Sequence, residues 1–124
     1  MMAMETTPKQ RLLVMNGHRL LQNDHGGRWD TVKVDKALGI KPGIYDLYLA
    51  RATLGIGQHA GVVIHADSQF LYQQSAKSLV KHARSLFDVA PAVGVTCQVH
   101  YDAGRAVSTA VADASLKLGR GRSR

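Results

Sequence analysis

Short apolar runs alternate with turn-forming clusters along most of the chain. The first run, Arg11-Leu12-Leu13-Val14-Met15, leads into Asn16-Gly17. That dipeptide accepts the positive φ angles of a type I′ turn, so residues 18–22 are expected to return as a paired strand. Asn23-Asp24-His25-Gly26-Gly27 is a second turn cluster. Residues 29–34 then alternate, with Val32 and Val34 on one face and Thr31 and Lys33 on the other. Asp35 is placed to cap one helical turn through Lys36-Ala37-Leu38, closed by Gly39. After the Pro42-Gly43 turn signal, residues 44–50 read as the clearest strand of the first half. Ile44, Leu47 and Leu49 are its core candidates, with Tyr45 and Tyr48 beside them. Strict alternation sets Asp46 beside Ile44 and Tyr48, which points to a bulge or a wetted edge.

The second half carries the same grammar. Residues 55–61 form a glycine-bearing loop, and the apolar runs 62–66 and 70–73 bracket a short turn at Asp67-Ser68-Gln69. Residues 78–87 fit either a strand beginning at Leu79-Val80 or a helix in which Leu79, Ala83 and Leu86 share one face. Pro91 and Gly94 break the chain. Val95, Cys97, Val99 and Tyr101 alternate with polar residues, and Asp102-Ala103-Gly104 turns the chain back through residues 105–111. These elements predict an α+β but β-dominated protein: a small antiparallel sheet or partly open barrel built from hairpins, with one or two short helices. A leader over residues 1–9, one domain over 10–116 and a tail over 117–124 complete the expected organisation. The turns recur at irregular spacing, so they mark hairpins and not a repeated unit.

Composition alters this picture at one end. A chain of 124 residues is long enough to bury a core without metal or disulfides. The net charge is +7, and Lys117, Arg120, Arg122 and Arg124 supply four of those charges. The 16 basic residues include these four, so residues 1–116 hold the other 12 against all 9 acidic ones, a net of +3. The alternating glycine and arginine of residues 119–124 cannot pack a core. Their guanidinium groups suit phosphate or an acidic protein surface, by contacts that are non-specific and salt-sensitive, although a tail of this kind also serves solubility alone. No apolar run approaches the roughly 20 residues that span a bilayer. The first residues lack the pattern of a secretory signal, and a lone cysteine, Cys97, fits a reducing compartment. A cytoplasmic protein that inserts into no membrane is expected.

Catalytic chemistry finds little support in the sequence. Six histidines invite a metal reading, with Cys97 and His100 as the best pair, helped by His65 and His82. Residues three apart on a strand point to opposite faces, however, and one cysteine is too few for the usual zinc sets. Cys97 lies in an apolar alternation, where a free cysteine acts as a small hydrophobe. The chain's one glutamate, Glu5, lies in the leader, and Asp67, Asp88 and Asp102 sit where turn chemistry explains them. Gly55-x-Gly57 lacks the remainder of a phosphate loop. No catalytic residue, no metal and no cofactor is expected. Tyr45, Tyr48, Phe70 and Tyr72, near Lys33, Arg51, Lys77 and Lys81, are either core or a platform for single-stranded nucleic acid, with core favoured.

Several stretches together resemble the KfrB domain, a family of proteins from plasmid maintenance and conjugation regions. They are Gly61-Val62-Val63-Ile64-His65-Ala66-Asp67, Leu71-Tyr72-Gln73-Gln74, and Leu79-Val80-Lys81-His82 with Phe87 after it. The 95–101 strand with Asp102-Ala103-Gly104-Arg105, and upstream the residues 43–50, continue in the same style. The resemblance implies a module that accompanies plasmid partition, stable inheritance and conjugative transfer, and it brings no catalytic residues with it. Tyr72, Gln73 and His82 are then either a polar signature on the domain surface or, for glutamine and histidine, a buried pair joining two strands. The expected function is that of a non-catalytic accessory protein binding another plasmid-encoded protein. Direct binding of DNA or RNA through the basic tail and a sheet face is the alternative.

Overall fold

The computed structural model describes residues 9–75 and 78–110. Asn16 and Gly17 take φ angles of 52° and 77°, the turn that their sequence requires, and join strand β1 (Gln10–Met15) to β2 (His18–His25). Gly26 and Gly27 repeat the device between β2 and β3 (Arg28–Lys36). A bulge at Leu21/Gln22 shifts the β2–β3 register, and β4 (Gly43–Tyr45) pairs on the other side of β1. The sheet order is β3-β2-β1-β4. Within the expected 10–116 domain the described residues group into two compact units, the first ending at Leu49 and the second beginning at Ala50.

The second unit holds β5 (Arg51–Ala52), β6 (Gln58–Ala66), β7 (Phe70–Gln74), β8 (Leu79–Ala83), β9 (Thr96–Asp102) and β10 (Arg105–Ala110). They form one sheet in the order β10-β9-β6-β7-β8-β5, antiparallel except where β5 runs parallel to β8. Asp67 fixes the β6–β7 turn, its carboxylate accepting from the N–H groups of Gln69 and Phe70 at 2.8 and 2.7 Å. A bulge at Ile64 lets both Val63 and Ile64 bury completely, where strict alternation would expose one of them. The core of this sheet is Val63, Leu71, Phe87, Cys97, Val99 and Ala106. Phe87 forms an isolated parallel bridge to Ala106 of β10, so the chain beyond β8 bends back toward the far edge of the sheet.

Three expectations change. The helical turn at residues 36–38 is absent, because β3 continues through Lys36 and the Ala37 N–H donates to the Gly17 carbonyl at 2.9 Å. Leu38 and Gly39 then turn the chain at positive φ. Residues 44–50 do not form one strand. The chain leaves β4 after Tyr45, and Leu49 N–H donates to the Asp46 carbonyl in a 3-10 turn over Leu47–Leu49. Alternation is lost there, so Leu47 buries while Ile44 and Leu49 are exposed. Residues 78–87 resolve into strand β8 followed by a second 3-10 turn, Arg84–Leu86. The protein is therefore β-dominated, with two sheets. These two short turns are the helical elements among the described residues, and neither sheet closes into a barrel there.

Candidate functional site

The alternation of β7, β8 and β9 places Gln73, His82 and Tyr101 on the inward face of the second unit's sheet. Leu71 and Gln73 on β7 face the same way as Val80 and His82 on β8, and the registers Leu71↔His82 and Gln73↔Val80 set Gln73 diagonal to His82. Both side chains have no exposed surface. His82 Nε2 lies 2.8 Å from Gln73 Oε1, and His82 Nδ1 lies 2.5 Å from the Tyr101 hydroxyl. That hydroxyl is in turn 2.6 Å from Thr53 Oγ1. Tyr101 stands on β9, separated from β8 by β6 and β7, so this contact exists only because the sheet curls.

The direction of every proton in this chain follows from its fixed end. Gln73 Nε2 lies 3.0 Å from the Cys97 carbonyl and 3.2 Å from the Gly61 carbonyl, both acceptors only, so the amide NH2 donates there. Gln73 Oε1 must then accept, and His82 Nε2 carries the hydrogen it accepts. Burial lowers the His82 pKa to about 4, and His59, edge-on with ring centroids 5.4 Å apart, adds to that shift. The imidazole is thus neutral at pH 7, leaving Nδ1 as an acceptor for the Tyr101 O–H. Thr53 O–H donates to the Tyr101 oxygen in its turn. The resulting relay, Thr53 to Tyr101 to His82 to Gln73 to the backbone of β6 and β9, satisfies each buried group in it. His59 is tied separately, its Nε2 donating to the Ile56 carbonyl at 3.0 Å.

Gly61 makes the arrangement possible. A Cβ at that position would lie 1.9 Å from the Gln74 carbonyl oxygen, so the close approach of β6 to the end of β7 requires glycine. Cys97 lies beneath the same glutamine, buried, and burial pushes its thiol pKa up and away from thiolate. His100 does not join it: β9 buries Cys97 and Val99 while His100 belongs to the other alternation. Among the described residues no group of three or more His, Cys, Asp or Glu side chains is placed to hold a metal.

A model of the KfrB Domain family matches residues 58–110, from the first residue of β6 to the last of β10. Protein TraB of Escherichia coli is 35% identical over 98 residues, covering 77% of this chain and 67% of the relative. The chain belongs to the KfrB domain family. The match and the relative together fit a plasmid-related role. Gln73, His82, Cys97, Tyr101, His59 and Gly61 all fall inside the KfrB segment, whereas Thr53 precedes it.

Of the residues singled out in the sequence, Gln73 and His82 are brought together, and they are buried. They therefore present no surface signature, and the buried-pair arrangement is the one observed. Tyr72 alternates away from them, 7% exposed, with its ring centroid 5.6 Å from that of His65. Lys117, Arg120, Arg122 and Arg124 lie outside the described residues, as does Lys77. The suggested platform divides between the units, Tyr45, Tyr48 and Lys33 in the first and Phe70, Tyr72, Arg51 and Lys81 in the second. Tyr45 is held locally by its hydroxyl donating to the Lys41 carbonyl at 2.6 Å, and Lys33 pairs with Asp35 at 3.8 Å. The first unit instead carries a different cluster, with Arg11 4.4 Å over the Trp29 ring, Trp29 6.1 Å from Tyr48, and Lys9 5.3 Å from Tyr48. Sequence reasoning missed it because Tyr48 reaches Trp29 only through the 3-10 turn that interrupts its predicted strand. Tyr101 and Thr53 were missed for a similar reason, since they meet His82 across sequence separations that no local pattern reports.

Proposed function

We propose that the chain is a non-catalytic accessory binding protein of a plasmid or conjugative element, acting through contacts with another plasmid-encoded protein. The observation that carries this reading is the division of labour between inside and outside. The most deeply buried polar groups spend their hydrogen-bonding capacity on one another and on backbone, which suits a scaffold. Large apolar side chains, Leu54 and Ile56 at 83% and 68% exposure among them, are left on the surface, which suits docking. The KfrB match supports the plasmid setting. Affinity capture of the tagged full chain from plasmid-bearing cells is expected to retain a protein encoded by the same plasmid. Retention of none overturns the reading.

A second reading, direct binding of nucleic acid, is favoured by the Lys9, Tyr48, Trp29 and Arg11 cluster, which sets two cations against two aromatic rings. Anisotropy titrations with single- and double-stranded DNA at two salt concentrations test it. Binding that strengthens at low salt and weakens in Trp29→Ala supports it, and no binding at low salt removes it.

A further inference from the structure

We propose that the open face of the first unit's sheet docks an amphipathic helix of a partner protein, apolar along its middle and acidic at both ends. The proposal rests on the protein-binding reading and gives it a surface and a chemistry. Strand pairing defines the face. The registers Arg11↔Gln22↔Thr31, Leu13↔Leu20↔Val34 and Met15↔His18↔Lys36 put these residues on one side of the sheet, and Leu13↔Ile44 adds Ile44. Side-chain contacts agree: Arg11 Nε donates to Gln22 Oε1 at 2.8 Å, and Gln22 Nε2 donates to Thr31 Oγ1 at 3.0 Å. The other side carries Leu12 and Val14, which are buried, so that side is already covered.

The open face is apolar at its centre. Ile44, Leu13, Leu20 and Val34 form a row across all four strands, and Met15 stands beside it. Met15, Val34 and Ile44 are 42%, 56% and 57% exposed, and Leu13 and Leu20 are half-buried between the last two. Met15, Asn16, His18, Leu20 and Val34 line a hollow of about 290 Å³, room for a large apolar side chain. Cations stand at both ends of the row. Lys9 and Arg11 hold one end, against the rings of Tyr48 and Trp29, and Lys36 lies beside His18 at the other. Among the described residues no carboxylate pairs with Lys9, Arg11 or Lys36. Asp30 and Asp35 belong to the opposite alternation of β3, and Asp24 accepts from the Gly27 N–H at 2.7 Å.

This arrangement selects the occupant. A contiguous apolar sheet face is normally covered by a second layer. Unpaired cations at its two ends favour acidic groups at the two ends of that layer. A second copy of this chain brings the same cations and is repelled. Nucleic acid suits the end with Lys9, Arg11, Trp29 and Tyr48 but sets charged phosphate against the apolar row. A helix fits the dimensions. From Arg11 to Met15 is roughly 14 Å along β1, the rise of about nine helical residues. A helix lying along the strands, with acids about nine residues apart and an apolar stripe between them, meets both cationic ends and the row together.

The test is an NMR titration of the ¹⁵N-labelled full chain with two synthetic helical peptides. Both carry the same leucine stripe, one with glutamates at its ends and the other with lysines. The glutamate peptide is expected to shift the amides of Leu13, Met15, Leu20, Val34 and Ile44 saturably, and the lysine peptide to bind roughly ten-fold more weakly. Val34→Asp, which sets a carboxylate in the row, and Arg11→Glu are each expected to weaken the glutamate peptide roughly ten-fold. Ile44→Asp takes the place of Val34→Asp should that variant fail to fold. Lys33→Glu makes the same change of net charge as Arg11→Glu but lies on the opposite alternation, and it is expected to leave the affinity unchanged. No saturable shift at these amides, equal affinity for the two peptides, or an equal loss in Lys33→Glu overturns the proposal. So do shifts of the same row by an oligothymidylate with no peptide binding, which assign the face to nucleic acid. Shifts of the row on raising the protein concentration alone assign it to a second copy and overturn the proposal as well. If the native chain captures a plasmid-encoded protein and Val34→Asp and Arg11→Glu capture it equally, the face assignment fails while the protein-binding reading stands. If the native chain captures none, both fall.

Discussion

A proton added to His82 has nowhere comfortable to go. Nδ1 already accepts from Tyr101, and the ring is sealed from water and faces His59. The folded pKa of about 4 lies below the unfolded value of 6.5, so between those pH values the unfolded chain binds a proton that the folded chain refuses. Stability from this group is therefore complete above pH 6.5 and is lost as pH falls toward 4, by on the order of 3 kcal/mol in all. Urea midpoints at pH 7 and 4.5 are expected to differ more for the native chain than for His82→Asn, and equal differences would refute the assignment. Gln73→Leu removes the donor shared by the His59, Gly61 and Cys97 carbonyls and the acceptor of the His82 N–H together, and a loss of roughly 3 kcal/mol is expected in the same assay. The Gln73–His82 pair was legible in the sequence because a hairpin brings them within one register step. The relay beyond His82 was not, because Thr53 and Tyr101 are positioned by the curl of a six-stranded sheet.

At the scale of elements, two backbone positions make sharp predictions. Gly61 on β6 approaches the end of β7 so closely that Gly61→Ala must displace backbone, not a flexible side chain. A loss of at least about 2 kcal/mol is expected by denaturant unfolding. Leu54 presents the opposite case. Its left-handed turn is strained and its side chain gains little from the fold, so Leu54→Asn is expected to raise stability by about 0.5–1 kcal/mol. A loss on that substitution would mean that the leucine packs in a way its exposure does not reveal. The hairpins themselves were readable, since Asn16-Gly17, Gly26-Gly27 and Asp67 impose turn geometry locally. Residues 44–50 were not, because their apolar content matches a strand while a single hydrogen bond from Leu49 to Asp46 tightens them into a 3-10 turn.

For the whole molecule, the KfrB segment forms five neighbouring strands of one sheet, and its buried polar relay keeps that sheet folded on itself. Such a body offers partners its outer surface and the apolar side chains left there. On the proposed function the plasmid-encoded partner is a protein, whereas the second reading assigns the contact to nucleic acid. Affinity capture of the full chain from plasmid-bearing cells, after nuclease treatment and washing at high salt, separates these directly. A plasmid-encoded protein is expected to stay bound in near-stoichiometric amount, since apolar docking survives salt while phosphate contacts do not. Release of all bound material by nuclease and salt would contradict a protein partner.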